Sequence, residues 1–345
     1  RNFINDGDLA GLVDDGVVGV TSNPTIFQGA IAEGSAYDEQ IKAVSATESE
    51  PKEIFLALAR DDIRTACDEL KRVWDEGGGK DGWVSLEVDP NLAHDTQATI
   101  DEAARLHDLI DRANLLIKIP ATPEGLPAIE ETIARGIPVN VTLIFSLERH
   151  REVAEAYVRG LERLVESGGD PSGIASVASF FVSRVDTEAD RLLDEVGGHD
   201  ELKGTLAIAN AKLAYVTYQE IFSGPAWDKL AQAGASPQRC LWASTSTKNP
   251  EYRDVIYVEE LIGPDTVNTM PRETVEAFQD HGEVANTLEQ DVDGARRTLE
   301  AFAAAGIEYD DVVETLEREG VEKFAKSFRE LFSDLETKRD ELVTA

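Results

Sequence analysis

One lysine in this sequence lies inside an apolar segment, where its amine could act as a nucleophile. Lys118 belongs to the run LLIKIP, residues 115–120, in which the five remaining side chains are all apolar. An amine enclosed by apolar side chains is kept partly neutral, and a neutral amine can attack a ketone carbonyl. The commoner alternative is a lysine near a strand end that extends its ammonium group into solvent. The position therefore predicts a nucleophile without establishing one.

Polar side chains near the ends of two other apolar runs could serve the same chemistry. Glu87 comes near the end of residues 83–88, and a carboxylate there could relay protons directly or through one water. Asn140 and Thr142 are two residues apart in residues 138–145, so in a strand both side chains point to one face. Buried hydrogen-bonding groups need partners, which could be substrate hydroxyls and a catalytic water, or simply neighbouring polar side chains.

Cationic and hydroxyl side chains follow two later runs. Arg184 ends the segment SFFVSR, and Ser244 and Lys248 follow LWA. Arginine, lysine and hydroxyl groups at adjacent strand ends could clamp a phosphate, although a surface salt bridge is the commoner use of each cation. Asn23 precedes Pro24 at the end of the first run, where it could hold a ligand hydroxyl or belong to an ordinary turn.

The elements that must position these residues are short apolar, β-branched runs separated by amphipathic stretches. Seven strands are predicted, at residues 17–21, 83–88, 115–119, 138–145, 174–182, 240–244 and 255–259. Strand–helix alternation indicates a parallel sheet with helical crossovers, and function at the carboxyl ends of the strands. We therefore expect a (β/α)8 TIM barrel in the α/β class, with its first strand upstream of Arg1. An open doubly wound sheet is the alternative, and the absence of a GxGxxG motif after any strand weakens its Rossmann form.

The C-terminal part, residues 271–345, is charged and has apolar residues mostly at helical spacing. This pattern predicts additional helices that wrap the barrel rather than a second domain. We find no internal repeat and no long linker. We therefore expect residues 1–345 to form a single domain.

The composition limits the partners of the protein. Its 67 acidic and 33 basic residues give a net charge of −34, which repels nucleic acid and anionic lipid. No run of eighteen apolar residues exists, so no transmembrane helix is predicted. Two cysteines far apart in sequence, Cys67 and Cys240, fit a reducing cytoplasm. Because the sequence begins with Arg-Asn-Phe-Ile, we expect the true start to lie upstream.

Taken together, the segments around these residues resemble the transaldolase family. Any one segment is weakly specific, whereas six in family order, each at a predicted strand end, are highly specific. The six segments are distributed over most of residues 16–270, and the sequence looks like the longer bacterial form of the family. The segments are GVTSNPTIF (19–27), LEVD (86–89), LIKI (116–119), NVTLIF (140–145), SFFVSR (179–184) and WASTSTKN (242–249).

The resemblance implies roles for these residues. Lys118 would form a Schiff base with a donor ketose, and Glu87 and Thr142 would hold the water that relays protons. Asn23 and Asn140 would bind hydroxyl groups of the dihydroxyacetone unit. The residues implied to grip the sugar phosphate or to line the pocket are Arg184, Ser244, Lys248, Ser179 and Phe181.

The resemblance also implies the reaction. A dihydroxyacetone unit would pass from sedoheptulose 7-phosphate or fructose 6-phosphate to glyceraldehyde 3-phosphate or erythrose 4-phosphate, in the non-oxidative pentose phosphate pathway. No metal or organic cofactor is expected, because the iminium itself accepts the electrons. We expect a cytoplasmic monomer or homodimer that acts on small sugar phosphates.

Two departures from the family pattern bear on this interpretation. The family places its acid/base Asp at the end of the first strand, which we expect upstream of the sequence, and we assign that role to neither Asn5 nor Asp6. The phosphate-binding position often held by Arg is here Lys248, which offers a point charge instead of a planar fork.

Two alternatives stay open at the level of sequence. The first is an aldolase of the same superfamily that makes fructose 6-phosphate from free dihydroxyacetone. Such relatives carry Tyr where this chain has Phe181, and a phenol, unlike Phe, can activate the water that releases the unit. The second is a non-catalytic sugar-phosphate-binding barrel, which would not need Lys118, Glu87 and Thr142.

Overall fold

In the part of the chain that the structure describes, seven β-strands form one sheet. The computed structural model describes residues 1–32 and 34–344. Buried apolar side chains dominate the strands, and every residue of the third, fourth and fifth is buried, as expected for strands covered on both faces. The strands are β1 (Gly19–Thr21), β2 (Trp83–Glu87), β3 (Leu115–Pro120), β4 (Val139–Ile144), β5 (Ser176–Phe181), β6 (Arg239–Ala243) and β7 (Thr266–Asn268).

Six of the seven predicted strands are confirmed, each with ends within two residues of those expected. The seventh prediction is wrong, because residues 255–259 contain the helical turn Ile256–Glu259 and the last strand is Thr266–Asn268. The apolar run is buried through Val255, Tyr257 and Val258, and one helical turn achieves this burial as well as a strand does. The real strand has three half-buried residues, too few to give an alternating pattern.

The sheet order identifies the fold class. The strands neighbour one another in the order of the sequence, β1 to β7, and the pairs β1–β2, β2–β3, β5–β6 and β6–β7 are parallel. A doubly wound sheet reverses its strand order at a switch point, whereas a (β/α)8 barrel does not. The predicted α/β fold of the TIM-barrel type is therefore confirmed, with seven strands in the described part of the chain.

Helices connect these strands and continue after β7. The amphipathic stretches between the predicted strands form helices, and two of these are capped by Asp95 and Ser146, whose side-chain oxygens accept from the N–H groups of Ala98 and Arg149. The helices are α1 (Asn2–Asn5), α2 (Asp8–Asp14), α3 (Pro24–Ala32), α4 (Asp38–Ser45), α5 (Pro51–Glu76), α6 (Thr96–Ile110), α7 (Gly125–Ala134), α8 (Leu147–Glu166), α9 (Ser183–Val196), α10 (Leu206–Ile221), α11 (Gly224–Gln232), α12 (Ile256–Glu259), α13 (Arg272–His281), α14 (Val292–Ala304) and α15 (Tyr309–Thr344). The mostly helical C-terminal part is thus as predicted.

The residues group into two compact units. The first unit comprises Arg1–Ile119, Ile137–Val139 and Val321–Ala345, and the second comprises Pro120–Gly136 and Asn140–Gly320. Inside the first unit, an aromatic cluster joins α5 to α15 through Phe55, Phe328 and Phe332. Inside the second unit, α10 packs on α14 through Leu213 and Ala295. The single-domain organisation stays a prediction.

None of the described helices combines the length and the apolar character that crossing a bilayer requires.

Candidate active site

Lys118 and Glu87 face each other across two neighbouring strands of the first unit. The register of β2 and β3 places Glu87 opposite Lys118, so both side chains lie on the same face of the sheet. The Lys118 Nζ is 3.4 Å from the Glu87 Oε2, and the two side chains are 6% and 4% exposed. The sequence prediction of a buried lysine near a carboxylate is therefore confirmed in its geometry, and the solvent-directed alternative for Lys118 is wrong.

Burial affects the protonation and the hydrogen bonding of this pair. Loss of hydration raises the pKa of Glu87, and the nearby Lys118 charge opposes this shift. Neither carboxylate oxygen makes a hydrogen bond to any residue of the described chain. A purely structural buried carboxylate is normally saturated with hydrogen bonds, so free acceptor atoms indicate room for a water or a substrate group. The pair can exchange a proton directly or through such a water.

Two further groups lie close to the Lys118 amine. The carbonyl oxygen of Ser22 accepts a hydrogen bond from Nζ at 3.4 Å, and the Phe324 ring has its centroid 5.8 Å from Nζ. Ser22 is itself fixed, because its hydroxyl donates to the Ser85 carbonyl at 2.8 Å. Sequence reasoning missed Phe324, since its helical spacing in the C-terminal part indicated only a packing residue.

Asn23 caps a helix in the same unit. Its Oδ1 accepts a hydrogen bond from the Ile26 N–H at 2.9 Å, at the start of α3. This bond holds the side chain in a fixed orientation at the end of β1. The turn expected from Asn23-Pro24 is thus present, and binding of a substrate hydroxyl by Asn23 remains a prediction.

The polar residues of β4 and β5 are buried in the second unit. Ser179 donates its hydroxyl to the Asn140 Oδ1 at 2.7 Å, so these two predicted residues are in direct contact. Thr142 is fully buried, and its Oγ1 has no hydrogen-bond partner in the described chain. An unsatisfied buried hydroxyl costs stability, and a bound water or ligand would remove that cost.

Arg184 stacks on a residue that the sequence placed in the same pocket. Its guanidinium lies over the Phe181 ring, 5.1 Å from the centroid. Burial lowers the pKa of Arg184. Although the protein has 67 acidic residues, Arg184 forms no ion pair with any that the structure describes. A half-buried cation without a counter-ion is suited to an anionic ligand.

Ser244 follows β6 directly and is bound to the start of α9. Its Oγ lies 2.9 Å from the Ser183 Oγ, and its carbonyl oxygen accepts from the Ser183 N–H at 2.9 Å. Sequence reasoning missed Ser183, although it directly precedes Arg184. Ser244 has a φ of +57°, and Leu143, next to Thr142, has a φ of +61°. Left-handed non-glycine residues are strained, and such strain concentrates at functional sites.

Lys248 lies at a cleft of about 280 Å³ inside the second unit. One wall is a face of α9 that includes Asp186, Thr187 and Asp190, and the other wall includes Lys248 and Tyr252. The Lys248 side chain is exposed and donates to the Ser246 Oγ at 2.8 Å. No carboxylate pairs with it among the residues for which the structure gives positions.

Asp186, which lines this cleft, should make the free energy of unfolding fall as the pH rises, which is the opposite of what most carboxylates do. Burial raises the pKa of Asp186 to about 7 from an ordinary 3.8, although the Ala207 N–H and the Tyr257 hydroxyl bind it. The folded state therefore binds the proton more tightly, so this contribution to stability is present at acid pH and is lost as pH rises through about 7. We expect Asp186 to lower the free energy of unfolding by about 1 kcal/mol between pH 6 and 8.

Urea unfolding at these two pH values measures the effect. In Asp186→Asn, the decrease in the free energy of unfolding from pH 6 to pH 8 should be smaller by that amount, even if the variant is less stable at both pH values. The control is Asp170→Asn, because the Ser172 N–H lowers the pKa of exposed Asp170 and keeps it ionised throughout this range. An unchanged slope in Asp186→Asn would show that Asp186 does not titrate there.

The ten predicted site residues divide between the two units. Asn23, Glu87 and Lys118 belong to the first unit, and the other seven belong to the second. Within the units, direct contacts join Glu87 to Lys118, Asn140 to Ser179, and Phe181 to Arg184. That all ten line one pocket stays a prediction.

Comparison with known proteins relates this chain to transaldolases, both through a family model and through individual relatives. A family model described as Transaldolase/Fructose-6-phosphate aldolase matches residues 2–335. A protein of Frankia alni named Transaldolase is 52% identical over 339 residues, which is 97% of this chain and 91% of the relative. Proteins named Transaldolase from Acidothermus cellulolyticus and Thermobifida fusca are each 53% identical, over 96% of this chain and 90% and 91% of their own lengths.

Proposed function

Because the chain belongs to the transaldolase/fructose-6-phosphate aldolase family, we propose that it is a transaldolase whose Lys118 carries a dihydroxyacetone unit as a Schiff base. The donor is sedoheptulose 7-phosphate or fructose 6-phosphate. The acceptor is glyceraldehyde 3-phosphate or erythrose 4-phosphate. These sugars assign the enzyme to the non-oxidative pentose phosphate pathway in the cytoplasm.

The observation that carries this proposal is the buried pair of Lys118 and Glu87. A lysine whose amine lies 3.4 Å from a carboxylate with no other hydrogen bond is equipped both to attack a carbonyl and to pass on protons. A binding protein has no need for such a pair, because an enclosed cation and carboxylate are costly to bury.

The chemistry assigns a role to each of these groups. The Lys118 nitrogen attacks the ketose C2, and the carbonyl oxygen takes up a proton to give a carbinolamine. Glu87 then delivers a proton, through a water held also by Thr142, so that the hydroxyl leaves as water and an iminium remains. The C4 hydroxyl then loses its proton to water, the C3–C4 bond breaks with its electron pair passing to the iminium, and the shortened aldose phosphate leaves as an aldehyde. The retained three-carbon unit then attacks the acceptor aldehyde, and water restores the free amine.

The phosphate is held by the groups of the second unit. Arg184 is half-buried and has no acidic partner among the described residues, and Lys248 likewise has none. Ser244 adds a hydroxyl beside the first turn of α9. Two cations and a hydroxyl can bind a phosphate with charge-assisted hydrogen bonds, which are stronger than neutral ones. Asn23, Asn140 and Ser179 remain for the sugar hydroxyls.

Phe181 favours transfer over release of free dihydroxyacetone. Its ring contacts Arg184 and Phe145 and has no hydroxyl that could activate a water. The retained unit therefore survives until an acceptor arrives. A fructose-6-phosphate aldolase activity is the second candidate, since the family model includes both enzymes.

Borohydride trapping tests the proposal. The protein is incubated with fructose 6-phosphate, reduced with borohydride and mapped by mass spectrometry, since reduction turns an iminium into a stable secondary amine. We expect a three-carbon adduct on Lys118, and we expect sedoheptulose 7-phosphate to form when erythrose 4-phosphate is added before the reductant. Absence of an adduct, or an adduct on another lysine, would contradict the proposal. Accumulation of free dihydroxyacetone without an acceptor would favour the aldolase.

Replacing Arg184 tests the phosphate clamp. Arg184→Ala should raise the KM for fructose 6-phosphate by between about tenfold and 100-fold, because it removes charge-assisted hydrogen bonds to the phosphate. Steady-state kinetics with fructose 6-phosphate and with unphosphorylated fructose measures the effect, which should be confined to the phosphorylated donor. Arg159→Ala is the control, since exposed Arg159 pairs with Glu130. Equal losses for both donors would contradict a role in phosphate binding.

A further inference from the structure

The segment that carries Lys248 is tied to α9 by a carboxylate–phenol pair. The Tyr252 hydroxyl donates to the Asp190 Oδ2 at 2.6 Å. The other oxygen of Asp190 accepts from the Gly204 N–H at 3.0 Å, so one carboxylate joins two segments to the helix. The Tyr252 ring also packs against Gly204, where an added Cβ would lie 2.8 Å from the ring. Gly204, with a φ of +72°, provides the space that the ring requires.

A second pair of the same kind lies one helical turn away. The Tyr257 hydroxyl donates to the Asp186 Oδ2 at 2.7 Å, and the Asp186 Oδ1 accepts from the Ala207 N–H at 2.7 Å. Asp186 and Asp190 are four residues apart, so they lie on one face of α9. Asp186 is 1% exposed, whereas Asp190 and Tyr252 are only half-buried. Both pairs line the cleft, but the buried pair contributes mainly to folding, whereas the half-buried pair is the more accessible of the two.

The position of the Lys248 side chain is set mainly by the chain segment that carries it. Its Nζ is bound only by Ser246, two residues away, and no carboxylate holds it among the described residues. Tyr252 is the next residue toward the C-terminus whose side chain bonds to α9, four positions along. Arg184 lies in the first turn of that helix. The helix is thus the common support for both cations of the proposed phosphate clamp.

We infer that Asp190 and Tyr252 are positioning residues that hold the Lys248 segment against α9 and so set the affinity for the substrate phosphate. The inference rests on the proposed function, because it assigns Lys248 to a phosphate. Neither residue touches the reacting carbons. Removing the hydrogen bond should therefore affect binding of the phosphate and leave the rate of the bound substrate nearly unchanged.

The test compares phosphorylated and unphosphorylated donors. Tyr252→Phe keeps the ring on Gly204 and removes only the bond to Asp190. We expect the KM for fructose 6-phosphate and the inhibition constant of inorganic phosphate to rise about tenfold. The kcat should change less than about twofold, and kcat/KM for free fructose should stay the same. Asp190→Asn is the second variant, and it should shift both constants in the same direction.

A double variant separates positioning from general stability. In Lys248→Ala, adding Tyr252→Phe should have no further effect on the inhibition constant of inorganic phosphate, because the group being positioned is gone. Tyr157→Phe is the control, since buried Tyr157 donates to the Ser236 carbonyl away from this segment. This control should be less stable, and its KM for fructose 6-phosphate and its inhibition constant for inorganic phosphate should be unchanged.

The outcomes distinguish the two proposals. If the wild-type protein forms the Lys118 adduct but Tyr252→Phe has unchanged phosphate constants, the positioning role is wrong and the proposed function stands. The positioning role is also wrong if Tyr252→Phe affects free fructose as strongly as fructose 6-phosphate, or if its effect persists undiminished in Lys248→Ala. If the wild-type protein forms no adduct, the proposed function itself fails.

Discussion

Lys118→Met should abolish transfer of the dihydroxyacetone unit, with a loss in kcat on the order of 10⁴-fold or more, because a thioether cannot form the Schiff base that the proposed mechanism requires. Methionine has nearly the length of lysine and suits the largely apolar β3, so the strand should still form. Two measurements check the result. Coupled assays of transfer from fructose 6-phosphate to erythrose 4-phosphate should fall to background, and borohydride should leave the protein unmodified.

The substitution leaves Glu87 without its cation. Because burial already raises the pKa of Glu87, we expect the carboxyl group to take up a proton and the fold to persist with reduced stability. The double variant Lys118→Met/Glu87→Gln should recover part of that stability and remain inactive. This separates loss of the nucleophile from loss of the fold.

Lys212→Met is the matched control for Lys118→Met. Lys212 is also buried, 8% exposed, and it is bound to Glu260 and to the Gln290 carbonyl in the second unit. This variant should lose stability and keep the adduct and the transfer activity. Retention of an adduct in Lys118→Met at wild-type yield would mean that another amine carries the unit.

Glu87→Gln should lower kcat by about 10²- to 10⁴-fold, the range expected when a general acid or base is removed. Glutamine has the same shape and can still bind a water, but it cannot exchange a proton with it. The slow step should be formation and hydrolysis of the iminium, so the adduct should still appear at long incubation times. Single-turnover trapping with fructose 6-phosphate, sampled over time, measures this rate.

The control for Glu87→Gln is Glu102→Gln, another buried carboxylate of the first unit. Glu102 is 8% exposed and pairs with Lys52 at 3.0 Å. Its replacement should reduce stability without slowing adduct formation. If Glu87→Gln formed the adduct at the wild-type rate, the proton relay would have to be assigned to another residue.

Much of the site was predictable because the information is local. Lys118 is the single charge in an apolar run that predicted a strand, but the run left open whether the amine is enclosed or extends into solvent, and the structure decided for burial. The alternation of strands also placed Glu87 near a strand end, and the parallel register then set it beside Lys118. When parallel strands pair in the order of the sequence, residues near the carboxyl ends of neighbouring strands must lie side by side.

The error at residues 255–259 shows the limit of local patterns. A run of four apolar positions, Val255 to Val258, fits a strand and a buried helical turn equally well, and in the structure Tyr257 donates from this turn to Asp186. Asp186 is 71 residues earlier in the chain, so no sequence window contains both. The short strand Thr266–Asn268 is recognised only by its pairing with β6.

The sequence by itself determined most of the order of strands and helices, and the residue types available for a nucleophile and for a phosphate. These follow from hydrophobic periodicity, which acts over a few residues. The tertiary structure alone decided that Phe324 covers the Lys118 amine, that Ser183 binds Ser244, and that Asp190 holds Tyr252. Each of these contacts joins residues more than 60 positions apart, and such contacts are selected by the packing of whole elements and not by any property of the separate segments.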